Sequence, residues 1–244
     1  MQADRSCERR MSELAGRAAE TGAAQATWFL SPAEQAQAHI CAKKAGVGFY
    51  TFGGVEAAER RVAVFSHEAE DIAWPIACLE VTWAARYGAP GHRDLLGAIL
   101  ALGISREKLG DIFVEEGRAL VFALKGMDRF IEMSLERVGS VPVTVKALDE
   151  WPGVEAAEGE LLRATIPSLR LDAVLSAVWN LSRGRAAEWA ASGKVQVDHR
   201  IETRPDRQIA RGMMISARGL GRAQVAEIGG RTKKGRISVT LLRY

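Results

Sequence analysis

The chain has 244 residues, with 33 Lys and Arg against 30 Asp and Glu, a formal net charge of +3, and 48% hydrophobic residues. That length supports two or three domains with cores of their own. Cys7, Cys41 and Cys78 are odd in number and widely spaced, so they make neither a disulfide framework nor a zinc pattern, and a reducing cytoplasm is the expected location. Asp4, Glu8, Glu13 and Glu20 stand where a signal or transit peptide needs an apolar or acid-free run. The best apolar stretch, Ile72 to Ala85, is too short to span a bilayer and contains Glu80, so no membrane partner is expected.

Residues 1–70 read as a small N-terminal α+β region. Ser31-Pro32-Ala33-Glu34 starts a helix, with a capping serine, proline at the first helical position and glutamate three residues past the cap. Gly46 is its predicted stop. A strand is expected over Val47–Phe52, then a turn at Gly53-Gly54, a short helical stretch over about Glu56–Arg61 and a strand over Val62–Phe65.

Residues 71–150 have a more regular order. Pro75–Trp83 reads as a strand, and His92–Leu102 as a helix with Leu95, Leu96, Ile99 and Leu100 apolar and Gly103 as its end. Strands Ile112–Glu115 and Ala119–Leu124 flank a turn at Glu116-Gly117-Arg118. A helix over Asp128–Val138 and a strand over Pro142–Ala147 follow. The order βαββαβ predicts a ferredoxin-like split arrangement, one shared by many RNA-recognition domains but compatible with many functions. No RNA-recognition aromatic signature accompanies it, because Ala119-Leu120-Val121-Phe122 offers one aromatic, which reads as core. In His92-Arg93-Asp94, Asp94 is placed to cap the helix and Arg93 to pair with it. Arg93, Arg106 and Lys108 fit either an RNA contact or a solvated face. The run from Leu148 to Gly159, with Asp149, Glu150, Glu155 and Glu158, reads as an acidic linker.

The charge is segregated along the chain. Glu160 to Tyr244 holds 16 Lys and Arg against 7 Asp and Glu, a net of +9, whereas the residues before it hold 17 against 23, a net of −6. Clustered cations suit phosphate binding, since each one that neutralises a phosphate releases a condensed counterion. Leu171, Val174, Leu175 and Val178 recur at helical spacing. Asn180-Leu181 interrupts that pattern, and Ser182 is placed to cap a second helix from Arg183 to about Ser192, with Gly193 as its stop. Arg183 and Arg185 are two like charges at the positive end of that helix dipole, a cost that a bound polyanion relieves. A strand over Lys194–Val197 leads to a turn at Asp198-His199-Arg200, and a further strand, Met213–Ala217, follows Arg211-Gly212. Arg218-Gly219-Leu220-Gly221-Arg222 is a glycine-spaced loop with two guanidinium groups. Strands near Ala223–Ile228 and Ile237–Leu242 close the chain around a basic hairpin tip, Gly229 to Arg236, which contributes Arg231, Lys233 and Lys234.

Two helices followed by a small glycine-punctuated sheet, in this residue order, resemble the S-four RNA-binding domain over residues 165–244. The matching residues are Arg170-Leu171-Asp172 with Leu175, Ser182-Arg183 with Ala186, Gly193 to Val197, Arg211-Gly212-Met213 with Ile215, and Arg218 to Arg222. The chain departs from that pattern at Asp198-His199, where such domains usually carry Asn-Gly. By position, the resemblance implies RNA contacts at Arg183, Arg185, Lys194, Arg218 and Arg222. Asp172 reads instead as a helix-start partner of Arg170. Upstream, Phe52-Gly53-Gly54 with Ala58-Glu59-Arg60, His92 to Ile99 and Arg106 to Ile112 are similar to the bacterial YlmH family. That resemblance implies a cytoplasmic, ribosome-associated factor. Its partners would be structured rRNA, and tRNA as well, on the large ribosomal subunit in rescue or quality control of stalled translation.

A non-enzymatic, monomeric RNA binder with no cofactor, no metal and no catalytic residue is therefore expected. Two rivals stand beside it. An RNA-modifying enzyme, a pseudouridine synthase or a methyltransferase, would use the basic tail for targeting, but neither Gly53-Gly54 nor Gly229-Gly230 fits a cofactor loop after a strand. An adaptor would use the acidic front to hold a protein partner.

Overall fold

In a computed structural model, which describes residues 2–70, 72–154, 159–232 and 235–244, with side chains from residue 6 onward, the N-terminal segment is α1 (Gln2–Thr21). Met11, Ala15 and Ala18 recur at helical spacing and are fully buried. β1 (Gln25–Leu30) follows. α2 (Pro32–Ala45) starts at the anticipated cap: the Ser31 hydroxyl accepts from the Glu34 amide, the Glu34 carboxylate accepts from the Ser31 amide, and Gly46 closes the helix at φ 71°. β2 (Gly48–Phe52) and β3 (Arg61–Ser66) complete an antiparallel sheet of order β1-β3-β2.

The expected helix over Glu56–Arg61 is absent, because a distant carboxylate captures its backbone. The Asp111 side chain accepts the amides of Glu59 and Arg60 at 2.6 and 2.9 Å. The Arg61 guanidinium meanwhile takes the carbonyls of Ala58 and Glu56. Donors of a first helical turn are thus satisfied from outside it.

The next elements are β4 (Ile76–Thr82), α3 (His92–Ala101), β5 (Leu109–Glu115), β6 (Arg118–Leu124), α4 (Met127–Ser134), β7 (Arg137–Val138), β8 (Val141–Pro142) and β9 (Thr144–Leu148). Four of them form an antiparallel sheet of order β5-β6-β4-β9. The predicted helix over Asp128–Val138 ends early, at Ser134. Val138 and Val141 then pair across a Gly139 turn (φ 58°), burying two β-branched side chains that suit a hairpin better than a last helical turn. Strand alternation splits the sheet into two buried faces. Leu79, Val81, Val121 and Ala123 pack with Leu95 and Ile99 of α3 and Ile131 of α4. Cys78, Leu120 and Phe122 pack with Phe29 and Val62 of the first sheet. The acidic stretch after β9 is no free linker as far as it is described: Trp151 and Val154 join that second cluster, while residues 155–158 lie outside the described segments.

The chain divides into two compact units, 1–156 and 157–244. The second contains β10 (Glu160–Ile166), α5 (Leu171–Trp179), α6 (Arg183–Ala191), β11 (Val195–Val197), β12 (Arg200–Ile201), β13 (Met214–Ala217), β14 (Gly221–Arg231) and β15 (Ile237–Arg243). Its six strands run in the order β10-β15-β14-β13-β11-β12, every neighbour antiparallel. Leu171, Val174, Leu175 and Val178 of α5 and Ala186 and Ala190 of α6 cluster with Val195, Ile215, Val225 and Leu241. Gly229 to Arg231 continue β14 and are not part of a free tip. Asp198 and His199 fill a two-residue hairpin loop at φ 47° and 63°, the left-handed geometry that Asn-Gly adopts most readily. The chain mixes helix and strand throughout, an α+β architecture.

Candidate nucleic-acid interface

The N-terminus of α6 is built by Ser182, whose hydroxyl accepts from the Arg185 amide at 3.3 Å. From that turn Arg183 reaches back to α5 and donates to Asp172 at 2.9 Å. Arg170 grips the same carboxylate with two nitrogens, each at 3.3 Å. Asp172 is only 5% exposed. Burial pushes its carboxyl up, but the hydrogen bonds from Arg183 and Arg170 outweigh that and hold it below the usual carboxylate range. The two predicted like charges are therefore unequal. Arg183 is an ion-paired brace between helices, whereas Arg185 is exposed and makes no ion pair among the described residues.

At the other end of α6, Lys194 lies with its ammonium 4.5 Å from the centre of the Trp189 ring. Its carbonyl accepts from the Arg218 amide at 2.8 Å, so these two exposed cations share one corner of the sheet. Arg222 lies one strand over, paired with Ser216, and its carbonyl accepts from the Tyr244 amide. Gly219 (φ 84°) and Gly221 (φ 115°) make the tight connection that brings Arg218 and Arg222 together. Arg185, the third residue of α6, is followed by six more helical residues, roughly 9 Å of helix, before the chain reaches Lys194.

Arg231 belongs elsewhere. It ends β14, roughly 30 Å along the strand from Arg222, and its guanidinium donates to the Gly235 carbonyl at 3.3 Å. Lys233 and Lys234 lie outside the described residues. Other arginines of this unit are committed to internal partners: Arg204 and Arg207 to Glu202, Arg211 to the Ala226 carbonyl, Arg236 to the Thr165 carbonyl, and Arg243 to Glu160 and the Val178 carbonyl. Arg200 was not among the expected contacts. It follows the two-residue loop, is exposed and has no ion pair among the described residues. The hairpin spacing was the signal for it.

In the first unit, Asp94 accepts from the Gly91 amide at 2.9 Å and so caps α3. Arg106, one of the undecided cations, is half-buried and donates to the carbonyls of Leu109 and Gly110 at 2.7 and 3.1 Å. Burial, with the nearby Arg60 charge, brings its pKa down to about 10. Arg60 in turn donates to the carbonyls of Leu109 and Phe29. These two arginines and Asp111 lock β1, the Glu59 turn and β5 to one another. Lys108 is exposed. Among the described residues no group of three or more His, Cys, Asp or Glu side chains is arranged to hold a metal ion, and no helix is long and apolar enough to cross a membrane.

Residues 68–150 match the family model for the "Putative RNA-binding domain in YlmH". Over 221 residues the chain is 31% identical to the ribosome-associated protein quality control protein P2 of Bacillus subtilis, covering 89% of this chain and 86% of that protein. Its fold is also similar to the solved structure of the cell division protein ylmH from Streptococcus pneumoniae. That match has a TM-score of 0.53 at 20% identity and covers 61% of this chain and 92% of the other.

Proposed function

The chain belongs to the YlmH family, and on that premise we propose that it binds structured ribosomal RNA, with tRNA, on the large subunit in the handling of stalled translation. The observation that carries this reading is the corner formed by Lys194, Arg218 and Arg222 within a segment of net charge +9. Three cations stand at the ends of adjacent strands with their backbones tied by hydrogen bonds, a placement suited to a phosphate backbone, and Arg185 and Arg200 add charge with no ion pair among the described residues. The second unit is proposed to be an S-four domain, a reading supported by its helix pair, its antiparallel sheet and the Asp198-His199 loop that retains a two-residue turn. The βαββαβ order and the sheet order β5-β6-β4-β9 support a ferredoxin-like middle region. The role is one of binding by a monomeric cytoplasmic protein, without catalysis. The names of the relatives, a quality-control protein and an RNA-binding domain, favour this over a modifying enzyme.

Crosslinking the chain to RNA in cells and sequencing the bound fragments tests the proposal. Enrichment of rRNA or tRNA is the expected result. Recovery of dispersed messenger RNA alone would overturn it.

A further inference from the structure

Both faces of the β5-β6-β4-β9 sheet are buried, so Phe122, fully covered, cannot stack on a base. β9 pairs with β4 only as far as Leu148 and Cys78, while β4 runs on to Ile76 against β6. Where β9 leaves, a cavity of about 690 Å³ opens, within the size range of small-molecule sites. Trp74 and Trp151 line it, both half-buried, with Lys125 and Arg129 exposed at its rim.

Phe52 backs both indoles, with ring centres 5.6 Å from Trp74 and 6.1 Å from Trp151, and Trp151 also meets the edge-on ring of Phe122 at 5.7 Å. The two tryptophans are thus held in place from behind while part of each remains open. A closed core would fill the space beside them, yet Ala77 and Leu148 leave it empty. Cys78 lies beneath. Burial, with Glu80, pushes its thiol up to about 12, which makes it part of an apolar floor and no nucleophile. Lys125 and Arg129 have no ion pair among the described residues, and Asp128, which also lines the cavity, accepts from the Gly126 amide at 2.7 Å through one of its oxygens. Asp149 is exposed at the rim, where a carboxylate accepts from the amino group of a base.

We propose that this cavity binds one unpaired nucleotide of an RNA strand, its base against the Trp74 and Trp151 indoles and its phosphates on Lys125 and Arg129. Paired bases are stacked within their helix and cannot enter, so the site selects single-stranded segments. The inference rests on the RNA-binding reading and adds a second kind of contact to it.

The test uses the full chain, a five-nucleotide single-stranded RNA carrying one 2-aminopurine, and an RNA hairpin lacking that base. Binding of the oligonucleotide is expected to quench the 2-aminopurine, as stacking on an indole does. The double variant Lys125→Glu/Arg129→Glu removes no core volume. It is expected to weaken oligonucleotide binding about tenfold or more while leaving hairpin affinity within about twofold. Trp151→Ala is expected to abolish the quench. If the wild-type chain binds the hairpin but leaves 2-aminopurine unquenched, or if the charge variant binds the oligonucleotide as wild type does, this inference fails alone. A chain that binds neither RNA overturns the RNA-binding reading as well.

Discussion

Arg183 and Arg185 stand two residues apart on one helical turn and do different work. Arg183 neutralises a buried carboxylate, so its removal leaves Asp172 held by Arg170 alone. Arg183→Ala is expected to cost about 1 kcal/mol, the worth of a charge-assisted hydrogen bond discounted for the half-exposed guanidinium. Arg183→Glu should cost more, since it sets a like charge beside Asp172. Arg185→Glu should instead be neutral or stabilising by about 0.3–1 kcal/mol, because an anion suits the helix N-terminus. Thermal melting of the three variants checks this, and equal melting of Arg183→Ala and wild type would contradict the brace. The same carboxylate sets a pH dependence. Its folded pKa lies below the unfolded value near 3.9, so its contribution is complete above that value and is lost as pH falls through the folded pKa. Asp172→Asn should therefore lower the melting temperature at pH 7, and the gap should close as pH falls below about 4. A gap of constant size down to pH 2 would contradict the assignment.

At the scale of elements, what could be read from sequence was what local residues decide. Ser31, Pro32, Glu34 and Gly46 delimit α2 by themselves, and the helical spacing of Leu171, Val174, Leu175 and Val178 gives α5 directly. The stretch from Glu56 to Arg61 was not legible, because the group that decides it, Asp111, lies some fifty residues away. β10 was missed although Leu162, Ala164 and Ile166 alternate; its partner β15 lies at the far end of the chain. The candidate contacts were legible as a list of cations, but not in which of them are tied to other groups, which depends on Asp172 lying against Arg183 and the Gly235 carbonyl against Arg231. Gly54 shows the same dependence on the fold. It sits at φ 99°, and an added Cβ would lie 2.2 Å from the Phe122 ring. Gly54→Ala is expected to destabilise the first unit by about 2–4 kcal/mol through backbone strain and overpacking together. Urea unfolding with a midpoint unchanged from wild type would show that the turn adjusts freely.

For the whole molecule, the segregation of charge along the sequence motivates the proposal that RNA affinity comes chiefly from the cations of residues 157–244, organised at the Lys194, Arg218 and Arg222 corner. Electrostatic binding of this kind weakens with salt in proportion to the number of phosphates neutralised. Lys194 and Arg218 are both exposed, and their tie to each other is through backbone atoms, so replacing their side chains leaves the sheet intact. The most direct measurement is filter binding of a structured RNA over a range of salt concentrations, with the wild-type chain and the Lys194→Glu/Arg218→Glu variant compared at matched stability. At least a tenfold loss of affinity is expected, with a log–log salt slope shallower by about 1.4–1.8, the release from two phosphate contacts. Unchanged affinity and slope in a variant that melts as wild type does would contradict it.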